Sequence, residues 1–249
     1  MPFIYRNYGK IREISEIEKV PDKVRVYHPR EKRVVYGPRR LDNIRRTRQI
    51  CVRRLSAALE EFGRPLLLTL TFQGDASDAA RANDALRRLQ VRLPAKYPDA
   101  HSLFVIELSP RGRIHFHGLV FNVPLHLGDT RDGRRVITRG TERTDRILAG
   151  LWGEGFVDAT QTDGSRKLAY YISKYITKGA GEPLFNAMRL LRISNGFPKE
   201  IVIRGSMAET LARRYEKMRP VSVWNNDKWE ISKKWFGKMT KKTYDLENP

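Results

Sequence analysis

Apolar residues recur at helical spacing in two long segments of the chain. Over about Leu41–Phe62 they return every three or four positions, while arginines fill much of the remaining surface. A second stripe of alanines and leucines covers about Asp78–Leu93, and we expect Pro94 to close that helix. Shorter helices are predicted at residues 141–152, 165–178 and 207–218.

Short apolar runs between these helices predict strands. Three of them are LLLTLTF (66–72), SLFVIEL (102–108) and IHFHGLVF (114–121). The turn SPRGR is short enough to join the last two as an antiparallel hairpin. Further strands or irregular segments are predicted at residues 22–29, 32–38, 124–140, 153–162 and 189–198.

The order of these elements predicts an α+β fold with a central antiparallel sheet of about five strands, flanked by helices. We expect residues 1–62 to form an N-terminal extension with a basic helix and residues 63–180 to form the core. Residues 181–249 are expected to be a helical, Trp/Lys-rich C-terminal extension, packed as one domain with the core. The tail from Val221 is either a docked amphipathic helix, which we favour, or a surface that stacks on bases.

The charge of the chain is strongly unbalanced. Among 249 residues, 48 Lys and Arg oppose 28 Asp and Glu, which gives a net charge of +20. This predicts a polyanionic partner, most commonly nucleic acid, although an inert basic surface is the alternative. The single cysteine, Cys51, excludes an internal disulfide. With neither an apolar run of about 20 residues nor a signal-peptide pattern, we expect a cytoplasmic protein with no membrane partner.

Two histidines and a glutamate could bind one metal ion on the predicted hairpin. His115 and His117 are two positions apart, so on a strand both imidazoles face the same side. If the hairpin turns near Arg111 and Gly112, so that the numbers of paired residues sum to about 222, Glu107 lies opposite His115, within cross-strand contact range. These three donors suit a divalent ion with open coordination positions. The alternative is two surface histidines on a half-exposed strand, with Glu107 paired to an arginine.

The segment AYYISKYITKG (169–179) concentrates tyrosines and lysines on one predicted helix. Tyr171, Lys174, Tyr175 and Lys178 share an arc of about 100°, beside an apolar stripe rather than fully within it. Tyr170 lies away from this arc, and we interpret it as structural. Two tyrosines one turn apart could act as nucleophiles on phosphodiesters, with the ammonium groups stabilising phosphoryl charge. Aromatic packing with lysines reaching to solvent is the alternative for this helix alone.

Three motifs in order, LLLTLTF, IELSPRGRIHFHGLVF and YYISKYITK, resemble those of HUH endonucleases. The third motif has the Tyr-x-x-Lys-Tyr-x-x-Lys form of two-tyrosine rolling-circle replication initiator (Rep) proteins of phages and plasmids. The resemblance covers about residues 66–178 and implies a ferredoxin/RRM-like core, Mg²⁺ or Mn²⁺ as cofactor, and single-stranded DNA as substrate. It implies two alternating nucleophiles (Tyr171, Tyr175), three metal ligands (Glu107, His115, His117) and two assisting lysines (Lys174, Lys178).

The resemblance further implies a nicking and strand-joining enzyme that acts at an origin hairpin in a bacterial host cell. The chain has no phosphate-binding loop of the G-x-x-x-x-G-K-[ST] type, so we expect a host helicase and the host replication machinery as partners. A transposase, a relaxase or a non-catalytic basic nucleic-acid-binding protein are the alternatives. The candidate DNA-binding residues are Arg45, Arg46, Arg53, Arg111 and Arg113.

Overall fold

The computed structural model describes residues 3–18, 41–74, 78–124, 146–186, 188–227 and 238–247. The chain forms two compact units, the larger from Val35 to Pro198 and the smaller from Met1–Val34 together with Lys199–Pro249. This division differs from the expected boundaries at residues 62 and 180, because the N-terminal strands pair with strands near the C-terminus.

Ten strands and five α-helices are found in the described residues. The strands are β1 (Phe3–Tyr8), β2 (Ile11–Ile17), β3 (Leu66–Phe72), β4 (His101–Leu108), β5 (Ile114–Phe121), β6 (Gly155–Gln161), β7 (Leu191–Ile193), β8 (Ile201–Arg204), β9 (Ser222–Asn225) and β10 (Met239–Asp245). The helices are α1 (Leu41–Phe62), α2 (Ala79–Lys96), α3 (Arg146–Trp152), α4 (Lys167–Ala180) and α5 (Ser206–Arg213).

The larger unit contains the predicted sheet. Its five strands lie in the order β6-β3-β5-β4-β7, and each neighbouring pair is antiparallel. The α+β fold class with a sheet flanked by helices is therefore confirmed. The hairpin register is confirmed too, since Glu107 of β4 lies opposite His115 of β5.

The two faces of this sheet are covered by different helices. On one face, Trp152 of α3 packs edge-on against Phe72 of β3 and Phe116 of β5, and its indole N–H donates to the carbonyl of Thr71. The other face carries the polar residues of β3, β4 and β5, and α4 lies over it. Side chains alternate between the faces along each strand, so Thr69, Glu107, His115 and His117 all lie on the face toward α4.

The predicted ends of α2 and α4 were wrong, for different reasons. The helix α2 continues past Pro94 to Lys96, and the Tyr97 N–H bonds to the Leu93 carbonyl, so helical hydrogen bonding resumes after the proline. The helix α4 continues through Gly179 to Ala180. A Cβ on Gly179 would lie 2.9 Å from the Ile106 carbonyl oxygen, so this glycine permits close helix–strand approach rather than terminating the helix.

The smaller unit is a second five-stranded antiparallel sheet, which the sequence patterns did not predict. Its strand order is β8-β1-β2-β10-β9. The apolar side chains of Tyr5, Ile14 and Tyr244 form a small core with Ala208 and Ala212 of α5. Unlike the larger unit, this sheet draws its strands from both ends of the chain.

The prediction that the C-terminal extension is helical was wrong. Within the described part of residues 181–249, α5 and a 3-10 helix (Pro183–Phe185) accompany four strands, and α5 ends at Arg213 rather than near Met218. Strands form because β2 offers β10 a full row of backbone partners. The predictions for residues 22–29, 32–38, 125–140 and 141–145, and for Trp229, Trp235 and Phe236, lie outside the described residues. No described helix is long and apolar enough to cross a membrane.

Candidate active site

Polar residues on three adjacent strands of the larger unit face the same side of the sheet. In the ladder, Thr69 of β3 lies opposite His117 of β5, and Glu107 of β4 lies opposite His115. Cross-strand partners point to one side, as do positions two apart on one strand. The otherwise apolar sheet therefore presents a hydroxyl, two imidazoles and a carboxylate to the helix α4.

His117 is held by contacts on both ring nitrogens. Nδ1 lies 3.2 Å from the hydroxyl oxygen of Thr69, and Nε2 lies 2.7 Å from Oε2 of Glu107. The side chain is almost fully buried. Burial lowers the pKa of His117 below its ordinary value, against the opposing influence of the Glu107 carboxylate. The imidazole is thus fixed in position and favours its neutral form, which is the form that binds metals.

Glu107 is shared between His117 and a lysine of α4. Lys178 Nζ lies 2.9 Å from Oε1 of Glu107, and His117 Nε2 lies within hydrogen-bond distance of Oε2. Burial alone would raise the pKa of the Glu107 carboxyl, but the hydrogen bonds from Lys178 and His117 hold it below its ordinary value. The carboxylate is therefore ionised at neutral pH and carries a cationic partner.

The two tyrosines of the third motif are in direct contact. Their hydroxyl oxygens lie 2.7 Å apart, and their rings meet edge to face with centroids 5.5 Å apart. Tyr175 stacks on the His117 imidazole, with centroids 4.1 Å apart and an interplanar angle of 15°. His117 of the sheet, Tyr175 and Tyr171 therefore form a continuous row of side chains in contact.

The two phenols differ sharply in their access to solvent. Tyr171 is 41% exposed, whereas Tyr175 is only 9% exposed. We expected both to lie beside the core, and for Tyr175 this was wrong, because its ring is covered by packing on His117. Burial, together with the hydrogen bond to Tyr171, raises the pKa of the Tyr175 phenol. In the conformation seen here, Tyr171 is the phenol that an external phosphate can reach.

His115 does not join Glu107 and His117 in a three-donor group. Its backbone lies opposite Glu107 and its side chain is partly buried. Among the described residues, no three His, Cys, Asp or Glu side chains are placed together so that they could hold a metal ion. The sheet register brings the three predicted ligands to one face, and the side chains of Glu107 and His117 are in direct contact.

The chemistry of the pair nevertheless fits a divalent ion. A carboxylate and an imidazole meet at a position that opens toward α4, and the Thr69 hydroxyl can either donate to or accept from Nδ1 of His117. An imidazole whose far nitrogen is held by a second partner is typical of metal-ligating histidines. Glu107 and His117 are therefore the residues that would hold Mg²⁺ or Mn²⁺, with His115 as the third expected donor.

The other predicted site residues differ in their exposure to solvent and in their contacts. Lys174 is exposed on α4, and no hydrogen bond or ion pair of its side chain is found among the described residues. Arg45, Arg46 and Arg111 are exposed, and Arg53 is partly buried. Arg113 instead donates to the carbonyls of Phe72 and Gly74, which ties the β5 end of the hairpin to the residues that follow β3.

Thr69 was missed as a site residue by sequence reasoning. The signal was present, because Thr69 and Thr71 alternate with apolar residues in LLLTLTF, and such alternation marks a polar face on a core strand. A pocket of about 580 Å³ lies beside Glu107 and Lys178, at the end of the hairpin. Its other lining residues are Leu108, Ser109, Pro110, Gly112 and Glu182.

Comparison with known families gives one match, which covers the segment that carries this site. Residues 65–180 match the model of the family described as replication-associated protein ORF2/G2P. The matched segment runs from β3 to the end of α4 and contains every predicted metal-ligating and catalytic residue. Neither the curated proteins nor the solved structures give a match to the chain. The family match is consistent with a rolling-circle Rep-type protein.

Proposed function

We propose that the protein is a metal-dependent nicking and joining endonuclease of the HUH type, which initiates rolling-circle replication on single-stranded DNA. The observation that carries this proposal is the contact between the phenols and the sheet: Tyr175 stacks on His117, and its hydroxyl lies 2.7 Å from that of Tyr171. Packing alone does not require the buried Tyr175 phenol to stack on an imidazole, that of His117, which is itself hydrogen-bonded to the Glu107 carboxylate.

In the proposed cleavage, the hydroxyl oxygen of Tyr171 attacks the scissile phosphorus. A bond forms between this oxygen and phosphorus, and the bond from phosphorus to the 3′ oxygen breaks. The phenolic proton leaves Tyr171, the departing 3′ oxygen takes up a proton, and the products are a 5′-phosphotyrosine and a free 3′-hydroxyl. A divalent ion at Glu107, His115 and His117 would polarise the phosphate and stabilise its charge.

The contacts of α4 suggest how the chain prepares for this step. If Tyr171 donates its proton toward the Tyr175 hydroxyl, its lone pairs are free to face solvent and an incoming phosphate. Lys178 is adjacent to the Tyr175 ring, with Nζ 5.2 Å from the ring centroid. Once released from Glu107, its ammonium could bind a phosphoryl oxygen without leaving the site.

The second phenol fits a later joining step. The buried Tyr175 cannot reach a phosphate in this conformation. Once Tyr171 is attached to the 5′ end of the DNA, its hydroxyl would no longer contact the Tyr175 hydroxyl. We therefore propose that Tyr171 cuts first and that Tyr175 acts in the following transfer. This order answers a question that the sequence left open, since helical spacing makes the two positions equivalent.

The decisive test is incubation with single-stranded origin-like oligonucleotides and Mn²⁺, followed by a denaturing gel. We expect a covalent protein–DNA band that EDTA prevents. A non-catalytic DNA-binding protein would form no such band with any divalent ion, and that result would reject the proposal. The His115→Ala variant should lose metal-dependent cleavage while retaining its fold.

A further inference from the structure

Tyr170 lies on the surface rather than in the core. It is 54% exposed, more than either Tyr171 (41%) or Tyr175 (9%) on the same helix. We interpreted this residue from sequence as structural, but an exposed ring on a helix buries little apolar surface and contributes little to packing. Its position adjacent to Tyr171 along the chain therefore calls for another role.

Two lysines lie about one turn of helix away from Tyr170 on α4. On α4, Lys167 precedes it by three positions and Lys174 follows it by four, and residues at these spacings are neighbours on a helix surface. Both lysines are exposed. The sequence of α4 contains neither Asp nor Glu, so this side of the helix is positively charged throughout.

A third cation comes from α1. Arg48 Nε donates to the Ser173 hydroxyl at 3.3 Å, and this hydroxyl donates to the Tyr170 carbonyl at 2.8 Å. Arg48 is itself exposed, while Ser173 is fully buried. The hydrogen-bonded chain fixes the guanidinium of Arg48 beside the turn that carries Tyr170, so an aromatic ring and three cations occupy one surface.

We propose that Tyr170, with Arg48, Lys167 and Lys174, forms a binding subsite for an unpaired nucleotide of the DNA strand next to the scissile phosphate. The base would stack on the phenol ring, and the neighbouring phosphates would contact the cations. Exposed aromatic rings among basic residues are how proteins bind single strands without reading sequence. Duplex DNA fits poorly, because its bases are stacked inside and cannot reach a ring on a helix surface.

This inference rests on the proposed function but is tested separately from it. Binding of fluorescein-labelled oligo(dT) is measured by anisotropy in EDTA, where no cleavage occurs. Tyr170→Ala and Tyr170→Leu should each weaken binding by about 5- to 150-fold, in line with ~1–3 kcal/mol per stacked base. Tyr170→Phe retains the ring and should bind as the wild type does. The Lys167→Gln variant should reduce the slope of log binding constant against log salt concentration by the amount expected for about one phosphate contact.

The outcomes separate the possible explanations. Wild-type affinity in Tyr170→Ala overturns the subsite, and wild-type affinity in Tyr170→Leu overturns stacking. An equal loss of affinity for duplex DNA of the same length overturns the preference for a single strand. If Tyr170→Ala binds weakly but the wild type forms no covalent adduct in Mn²⁺, the subsite stands and the proposed nicking activity fails. Thermal unfolding of each variant confirms that the fold is retained.

Discussion

The Tyr175 ring stacks on the His117 imidazole with centroids 4.1 Å apart, which joins the tyrosine helix directly to the histidine strand. The same phenol contacts Tyr171 through its hydroxyl. These two contacts make Tyr175 the link between the sheet face that carries Glu107 and His117 and the exposed phenol of Tyr171. Four predictions follow from the site and the packing that supports it.

Loss of the Tyr171 hydroxyl should abolish the first cleavage. The exposed phenol is the one that a phosphate can reach, so Tyr171→Phe should reduce covalent adduct by about 10³-fold or more. Tyr175→Phe keeps the stacking ring and should still form adduct, but should fail in strand joining. A denaturing gel with single-stranded DNA and Mn²⁺ measures both steps. Normal adduct formation by Tyr171→Phe together with its loss in Tyr175→Phe would reverse the proposed order.

Removing the Lys178 ammonium should strengthen divalent-metal binding. Lys178 neutralises Oε1 of Glu107 and places a positive charge where a metal ion would approach. Lys178→Met should therefore bind Mn²⁺ about tenfold more tightly, equivalent to ~1.4 kcal/mol, and Glu107→Gln should bind it more weakly. Isothermal titration or electron paramagnetic resonance of the DNA-free protein provides the measurement.

The control for this experiment is Lys167→Met, which removes a lysine from the opposite end of α4, more than two turns from Lys178. Its Mn²⁺ affinity should equal that of the wild type, so that a general change in net charge is distinguished from release of Glu107. Weaker or unchanged Mn²⁺ binding by Lys178→Met would contradict the proposed competition.

Stability should fall with acidification from near neutral pH. The folded-state pKa of His117 is depressed, so below about 6.5 the unfolded chain binds a proton that the folded chain does not. The depressed pKa of Glu107 extends the loss at lower pH, because its contribution disappears as the pH falls through the folded-state value. Urea unfolding across this range should give a shallower pH dependence for His117→Gln. Identical slopes for variant and wild type would show that His117 is not the origin.

A methyl group at Gly118 should destabilise the larger unit. Its Cβ would meet the buried Phe104 ring and lie 2.6 Å from the Leu103 carbonyl oxygen. Gly118→Ala should therefore cost about 1–3 kcal/mol in the free energy of unfolding, measured by urea denaturation. Gly150→Ala is the matched control, because a Cβ there meets nothing within 4 Å and the residue lies in α3. That substitution should be neutral or stabilising by up to about 1 kcal/mol.

The sequence by itself determined the hairpin and its register. Alternation in β3, β4 and β5, with a short turn, was sufficient to place Glu107 opposite His115. Strand pairing across a tight turn is a local property, so spacing predicts it well. The helical period likewise placed Tyr171 and Tyr175 one turn apart, but it could not distinguish a buried phenol from an exposed one.

Only the tertiary structure decided which side chains touch and which tyrosine is accessible. The contact between His117 and Glu107 depends on side-chain conformations, and the burial of Tyr175 depends on how closely α4 approaches the sheet, which Gly179 permits. The second sheet was also invisible in the sequence pattern, because its strands come from opposite ends of the chain. Pairing at such separation is set by the assembled backbone, whereas hydrophobic periodicity reports only on neighbours along the chain.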